Sequence, residues 1–291
     1  MRNNTNIVLI ADSGSTKTDW LLLKGKDELS RFSTQGINPF MLTESEITTI
    51  LATELPQLPA NVESIHFYGA GCRGELSAIV KSAIQSLFLT ANIQVESDLL
   101  GAARSVCGNE PGIACILGTG SNSCLYDGKI IVENVSPLGY ILGDEGSGAV
   151  MGKHLIADIL KHQISEDISK LFFDRHQLTP DQIIQKVYRE PFPNRFLASF
   201  ALFIGENRHN IDIHNFIIKE FKFFFRRNID QYHRLNLPVN FVGSIAFFFR
   251  IELQEVAKSL GYRIGRIYRT PLDGLMKYHS AYNKRCAKIS F

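Results

Sequence analysis

The sequence predicts an α/β protein made of two copies of one plan, each a mixed sheet with helices on both faces. Three observations lead there. An apolar run, Ile7–Ala11, ends in the turn Asp12-Ser13-Gly14-Ser15-Thr16, and a second apolar run, Trp20–Leu23, carries the chain away. Short apolar runs around a Gly/Ser/Thr turn read as a β-hairpin. The pattern then restarts about 105 residues on, a period too long for a solenoid. There Ile113–Leu117 leads into Gly118-Thr119-Gly120-Ser121, and Ser123–Tyr126 follows. Finally, strands alternate with helical stretches after each opening meander, which implies parallel pairing with helices on both faces.

In the first half, a turn at Gly25-Lys26-Asp27 leads to a third strand, Glu28–Thr34, and Gly36-Ile37-Asn38-Pro39 breaks the pattern. Thr43 to Glu54 reads as a helix, with Thr43 as N-cap and Glu46 completing a capping box. Ser64–Tyr68 is a strand running into Gly69-Ala70-Gly71-Cys72-Arg73-Gly74. A helix from Glu75 to Thr90, a strand Ile93–Glu96 and a short helix Leu99–Val106 complete this half. In the second half, Asp127-Gly128 is a hairpin turn before a strand, Lys129–Glu133. A helical insert follows over Glu145–His162, around Asp181–Tyr188, and over Phe196–Arg234 with a break near 207–210. Val239–Val242 is a strand entering Gly243-Ser244, Ile245–Leu260 a helix, Tyr262–Tyr268 a strand and Leu272–Lys284 a last helix behind Pro271. The boundaries predicted are 1–107 and 108–291, with the insert at 145–236 and helix 272–284 packing back on the first domain.

Composition narrows the function. Of 291 residues 45% are hydrophobic, 20 of them Phe, so a sizeable core is expected. A net charge of +2 from 31 basic and 29 acidic residues gives no electrostatic case for nucleic acid or an anionic membrane. The apolar runs fall well short of the roughly 18 residues of a membrane span. Five cysteines without paired spacing (Cys72, Cys107, Cys115, Cys124, Cys286) argue for reduced thiols in a cytoplasmic protein, against a disulfide framework or a zinc site.

The first turn carries chemistry. Ser13, Ser15, Thr16 and Thr18 supply hydroxyls, Gly14 lets backbone approach a ligand, Lys17 adds a cation and Asp12 an anion. Hydroxyls, exposed N–H groups and a cation suit a phosphate, and a nearby carboxylate suits the Mg²⁺ that travels with it. An ordinary hairpin turn is the competing reading. The second Gly/Ser/Thr turn, expected across the same cleft, favours the phosphate reading.

These residues resemble the actin/hexokinase/heat-shock-70 superfamily of ATP-binding proteins and, within it, the BadF/BadG/BcrA/BcrD ATPase family and N-acetylglucosamine kinase. The resemblance rests on Asp12–Thr18, Ser97–Ala102, Leu117–Asn122, Gly139–Ser147 and Val242–Ser244, in that order over nearly the whole chain. It implies two ribonuclease H-like domains with an ATP and substrate cleft between them. ATP and Mg²⁺ are the cofactors implied, a sugar hydroxyl is the acceptor, and a homodimer is left open. It makes Ser13 to Thr18 the first phosphate loop and places Asp12 near Mg²⁺. Gly118, Thr119, Gly120 and Ser121 become the second phosphate loop, and Gly243 and Ser244 the adenosine-side turn. Asp98 takes the position of the catalytic base. Asn38, Gly71, Gly139, Asp144 and Glu145 line the sugar site. The usual glycines of the first loop are replaced by Ser13 and Ser15.

Each role has a plainer counterpart. Asp98 is a favoured residue to N-cap the helix from Leu99. Asp144 and Glu145 suit the first turn of a helix, where the dipole favours acids. Asn38 before Pro39 is also turn chemistry, and Lys17 suits a solvated hairpin. Gly69-Ala70-Gly71-Cys72-Arg73-Gly74 fits the dinucleotide fingerprint with Glu96 as a ribose-binding acid, which keeps an NAD-linked oxidoreductase as a remote alternative. A non-kinase ATP-binding regulator is the nearer one. An iron–sulfur activator would need cysteines near Gly143–Ser147, a repressor would need an added helix-turn-helix, and no G-x-x-x-x-G-K-[S/T] loop is present.

Overall fold

The computed structural model describes residues 6–14 and 16–286, side chains excepted from 281 on, so Ser15 and the Cys286 thiol lie outside the described residues. The chain divides into two compact units. One takes the residues through Glu110, Asp127–Ile131 and the chain from Thr270, and the other takes Pro111–Tyr126 and Val132–Arg269.

The first unit is built on β1 (Ile7–Ser13), β2 (Lys17–Lys24), β3 (Asp27–Gln35), α1 (Glu44–Glu54), β4 (Val62–Gly69), α2 (Glu75–Leu87), β5 (Asn92–Ser97) and α3 (Asp98–Cys107). Its sheet has the order β3-β2-β1-β4-β5. β1 pairs antiparallel with β2 and parallel with β4, and β4 pairs parallel with β5. The α1 capping box forms as expected: the Thr43 hydroxyl accepts from the Glu46 N–H at 3.3 Å, and Glu46 Oε2 accepts from the Thr43 N–H at 2.8 Å.

The second unit follows with β6 (Gly112–Leu117), β7 (Ser121–Tyr126), β8 (Ile131–Glu133) and a run of helices. These are α4 (Gly139–Leu142), α5 (Gly148–Leu160), α6 (Glu166–His176), α7 (Pro180–Tyr188), α8 (Pro193–Ser199), α9 (Ala201–Glu206) and α10 (Ile211–Phe224). A π-helical turn, Phe225–Ile229, extends α10. Then come β9 (Val239–Val242), α11 (Ser244–Phe248), α12 (Arg250–Ser259) and β10 (Ile264–Tyr268). The order β10-β9-β6-β7-β8 is that of the first sheet, so the duplication seen in the sequence is a duplication of fold.

Three expectations need correction. The helix placed at Glu145 starts at Gly148, because Ser147 is its N-cap and accepts from the Val150 N–H at 3.3 Å. The stretch Ile245–Leu260 is two helices divided at Phe249, whose 2% exposure shows why its ring leaves the helical path for the core. α6 was not anticipated. Charges surround it and it buries only Ile168 and Phe172, too thin a stripe for a helical period to show.

The first unit's sheet has two covered faces. Ile7, Leu9, Trp20, Leu22, Phe67, Ile47 and Val80 pack on the α1/α2 side. Val8, Ile10, Leu21, Leu23 and Tyr68 pack against Leu272 and Leu275 of α13 (Leu272–Cys286). The opposite alternation along β1 and β2 is what a strand covered on both faces requires. In the second unit phenylalanines dominate the core, with Phe172, Phe200, Phe203, Phe221, Phe224, Phe225 and Phe241 each buried. Among the described residues no helix is long and apolar enough to cross a membrane.

Trp20 is 1% exposed, lies parallel to Phe32 at 6.2 Å and donates through Nε1 to the Thr34 hydroxyl at 3.0 Å. Trp20→Ala leaves a large void at the centre of the sheet and should cost about 3–5 kcal/mol in urea unfolding.

α13 carries a titratable contact. His279 stacks on His66 of β4 at 3.8 Å, and its Nε2 meets the Tyr68 hydroxyl at 2.9 Å. Arg104 of α3 donates to the same hydroxyl at 3.1 Å. Burial pushes His66 down to about 4 and His279 well below its ordinary value, with Arg104 adding to both. Both rings are therefore neutral in the folded protein. The stability they hold is complete above the unfolded value near 6.5 and is lost as pH falls from there toward 4. Buried Asp12 titrates with the opposite sign, so the readout is a difference between variants. His66→Gln should shrink the loss of unfolding free energy between pH 7 and pH 5 by about 2 kcal/mol.

Candidate functional site

Strand register assembles the first half-site. Ser13 of β1 lies beside Gly69 of β4, and Gly69 lies beside Ser97 of β5. Three chain positions far apart in sequence thus end on one edge, the carboxyl edge of the parallel strands, where open α/β sheets hold ligands. Asp12, the Gly69–Gly74 turn and Asp98 all sit along it.

The polar residues of the first turn divide into two sets. Ser13 and Thr18 are buried, and their hydroxyls meet at 2.6 Å. Ser13 Oγ donates to the Ile37 carbonyl at 2.9 Å, and both hydroxyls accept from the Ile37 N–H, at 3.0 and 3.2 Å. Thr18 Oγ1 also reaches the Gln35 carbonyl at 3.1 Å. These side chains tie the hairpin to the chain after β3 and shape the loop. Gly14, Thr16 and Lys17 are exposed, and the turn is closed by the Gly14 N–H on the Lys17 carbonyl at 3.0 Å. Lys17 pairs with Asp19 at 2.6 Å.

Asp98 is the first residue of α3 but not its cap. Ser97 caps the helix, accepting from the Leu100 N–H at 3.2 Å, and Asp98 Oδ1 accepts from the Leu99 N–H at 2.8 Å. The helix is capped without spending the second carboxylate oxygen. Burial raises the Asp98 pKa, and the Leu99 N–H and the Arg73 guanidinium pull it back in part. Asp12 is pushed up to about 7 by burial first, then by the charges of Asp98 and Asp19. Among the described residues no three metal-binding side chains form a cluster. Mg²⁺ asks for less, since it is commonly held by one or two carboxylates, waters and substrate phosphates. Asp12, half-buried with like charges beside it, fits that demand.

Asn38 and Gly71 meet. Gly71 has φ +80°, and a Cβ there would fall 2.2 Å from Asn38 Oδ1. Asn38 Oδ1 accepts from the Phe40 N–H at 3.0 Å, so the turn role expected of this residue is present too. The dinucleotide reading weakens here. Gly69 is the last residue of β4, the fourth strand of its sheet, and Glu96 faces Arg104 at 3.8 Å, in the cluster beneath α13.

The second half-site has its own row. Ile116 of β6 lies beside Val242 of β9, and Val242 beside Tyr268 of β10. The Gly118–Ser121 turn and Gly243-Ser244 leave from this edge. Gly243 has φ +125°, and a Cβ would fall 2.1 Å from the Leu117 carbonyl oxygen, so glycine alone fits. The second turn is anchored to α5: the Gly148 N–H donates to the Gly118 carbonyl at 2.8 Å and the Ala149 N–H to the Thr119 carbonyl at 3.1 Å. Within the turn the Gly118 N–H reaches the Gly120 carbonyl at 2.9 Å.

Asp144 and Glu145 lie before α5, not in its first turn as expected. Asp144 adopts φ +54°, a left-handed conformation that costs a non-glycine residue about 1–2 kcal/mol. Its carboxylate accepts from the backbone N–H groups of Ser121 and Gly139, which lower its pKa, while burial, the larger effect, and Glu145 raise it to about 6. Glu145 pairs with Arg227 and accepts from Asn228 Nδ2 at 3.2 Å. Adjacent residues on an α-helix point about 100° apart, and the π-helical turn brings these two to one carboxylate. Asp144 therefore braces the second turn against α4, and Glu145 braces the loop against α10.

One feature escaped sequence reasoning. A cavity of about 360 Å³ opens beside Gly118, Thr119 and Ser244, walled by Ala198, Leu202, Ile245, Phe248 and Phe249 and edged by Glu206 and Arg208. Its lining comes from four separated segments, so no local pattern announces it. The pair Phe248-Phe249 just past Gly243-Ser244 was the available hint.

No protein-family model matches the sequence, and no curated protein does. Solved structures do. A protein of Porphyromonas gingivalis, provisionally named an N-acetylglucosamine kinase, is 46% identical, matches 95% of this chain and 99% of its own, and superposes with a TM-score of 0.91. A protein of Chromobacterium violaceum under the same provisional name is 17% identical over 94% of this chain and 99% of its own, with a TM-score of 0.72. An ethanolamine utilization protein of Carboxydothermus hydrogenoformans is 12% identical over 94% and 88%, with a TM-score of 0.53. The last two share the fold alone. At the identity and coverage of the first, this chain belongs to the N-acetylglucosamine kinase-like family of the actin/hexokinase superfamily.

Proposed function

We propose that this protein transfers the γ-phosphoryl group of ATP to a hydroxyl of a sugar, with N-acetylglucosamine as the first candidate. The observation that carries this reading is the 46% identity, over 95% of the chain, to a protein provisionally named for that activity. The half-sites support it. Phosphoryl transfer asks a protein mainly for positioning and charge neutralisation. Gly118–Ser121, fixed to α5, and the exposed Gly14, Thr16 and Lys17 are suited to the phosphates, and the cavity beside Ser244 to the adenosine.

Asp98 is the base in this reading. Its helix is capped by Ser97, and it stands at the carboxyl edge of the sheet. Taking the proton of a substrate hydroxyl as its oxygen attacks phosphorus is the acceleration a carboxylate base supplies. Asn38, beside Gly71, is suited to hold the sugar. Asp12 would hold Mg²⁺, which supplies charge neutralisation at the phosphates. The four described cysteines Cys72, Cys107, Cys115 and Cys124 are buried and in no disulfide, which suits a cytoplasmic enzyme.

The test is ADP release from ATP and Mg²⁺ across a panel of sugars, with Asp98→Asn alongside. N-acetylglucosamine should drive ADP formation, and Asp98→Asn should lower kcat by about 10²–10⁴-fold. ADP release by no sugar would favour a nucleotide-binding regulator, and full activity in Asp98→Asn would remove Asp98 as base.

Asp98 must be ionised to act, and its pKa is raised. The acid limb of kcat/KM should therefore lie above the ordinary aspartate value of about 3.9, and Asp98→Glu should move it. An activity flat down to that value would contradict the assignment.

A further inference from the structure

Among the described residues, α13 is held to its unit by few apolar contacts. Leu272 and Leu275 are its buried apolar residues, with Met276 packed beside them, whereas the α1/α2 face of the same sheet closes over a much larger apolar core. Polar contacts do the rest. At the start of the helix Asp273 pairs with Arg31 of β3 at 2.6 Å, and the Ser105 hydroxyl of α3 donates to the Pro271 carbonyl at 2.8 Å. Further along, His279 is buried and stacks on half-buried His66 of β4 with the ring centroids 3.8 Å apart. Its Nε2 meets the Tyr68 hydroxyl, which also accepts from Arg104 of α3. Tyr68 is the joint of the three elements, because α3 lies directly on it: a Cβ at Gly101 would fall 2.8 Å from the Tyr68 Cβ.

The surroundings of the two rings suit neutral imidazoles only. The charged or titratable groups about them are Arg104, Tyr68, Tyr278 of α13 and Glu96 of β5, and Glu96 faces Arg104 at 3.8 Å. His66 Nδ1 meets the uncharged Gln94 amide oxygen at 3.2 Å, and β1 and β2 meet the helix with Val8, Ile10, Leu21 and Leu23. A proton on either ring would set a cation against its stacked neighbour and near Arg104, where water screens little and like charges repel more than at the surface. Burial accordingly pushes His66 down to about 4 and His279 well below its ordinary value. In an undocked helix His279 returns to water, His66 is uncovered, and both regain a value near 6.5. Neutral pH therefore favours the docked helix, and acid favours the undocked one.

We propose that α13 is an acid-released strap: the stacked His66–His279 pair holds it on α3 and the sheet while both rings are neutral, and protonation of the pair lifts the helix while the rest of the unit stays folded. The thin apolar attachment of α13 is what makes the release local, since the core on the other face of the sheet does not depend on it. The proposal stands apart from the kinase reading, because it invokes neither nucleotide nor sugar.

The test is hydrogen–deuterium exchange of the whole protein at pH 7 and pH 5, read peptide by peptide and corrected for the intrinsic rate at each pH. Local opening appears there as protection lost in one element and kept in the core. His66 alone, held at about 4 when docked and near 6.5 when free, gives a factor of about 20 between these two pH values. Peptides over residues 272–280 should therefore lose protection about tenfold or more beyond any loss in β1 and β2. His66→Gln and His279→Gln together keep polar side chains that take no proton, and should remove that difference. If the double variant is undocked already at pH 7, His66→Gln alone carries the comparison and should shrink the difference by its factor of about 20. Equal loss of protection in α13 and in β1 and β2 would overturn the proposal, and so would an undiminished pH effect in the variants.

Discussion

Parallel pairing on one side of each central strand is the constraint from which both half-sites follow. β1 and β6 are each antiparallel to one neighbour and parallel to the other. The antiparallel side delivers a tight turn at the strand's end. The parallel side brings two later strand ends, and the loops after them, to that same edge. Ser13, Gly69 and Ser97 form one such row, and Ile116, Val242 and Tyr268 form the other. A one-residue slip would turn every inward side chain of these strands outward, and both faces of the first sheet are packed. Core packing therefore fixes the chemistry's geometry to within a residue.

The polar groups of the motifs do two jobs that the sequence does not separate. A buried hydroxyl or carboxylate must find a partner or cost about 1–3 kcal/mol. Ser13 and Thr18 meet that demand through Ile37 and Gln35, Asp144 through the Ser121 and Gly139 N–H groups, and Glu145 through Arg227 and Asn228. These residues hold the loops still. Gly14, Thr16, Thr119 and Ser244 of the same motifs are exposed instead.

Much of the fold was legible. The period-2 and Gly/Ser/Thr signals gave the ten strands in order, and Thr43 with Glu46 marked a helix start correctly because a capping box is a local bond between near neighbours. What failed was non-local. Ser97, not Asp98, caps α3, and the choice between two adjacent polar residues depends on where the strand before them ends. Asp144 leaves the helix it was placed in because its carboxylate is drawn to two backbone donors elsewhere in the unit. α6 shows only two buried residues, and the cavity is walled by segments far apart in sequence. Burial and tertiary hydrogen bonds decide these cases, and neither leaves a periodic trace.

Asp12 and Asp98 show how one fold gives two carboxylates different surroundings. Both are raised by burial, but Asp98 is answered by the Leu99 N–H and the Arg73 charge, whereas Asp12 is raised further by Asp98 and Asp19. The partners of Asp98 offset part of the rise that burial causes. Asp12, with like charges beside it instead, is pushed up to about 7. Environments that push paired acids apart are how acid, base and metal roles are divided among like residues. The division here comes from placement: Asp98 begins a helix, where an N–H meets it, and Asp12 lies within a strand whose backbone donors are spent on its neighbours. The same sheet that gathers the two acids onto one edge thus also sets how differently the two are surrounded.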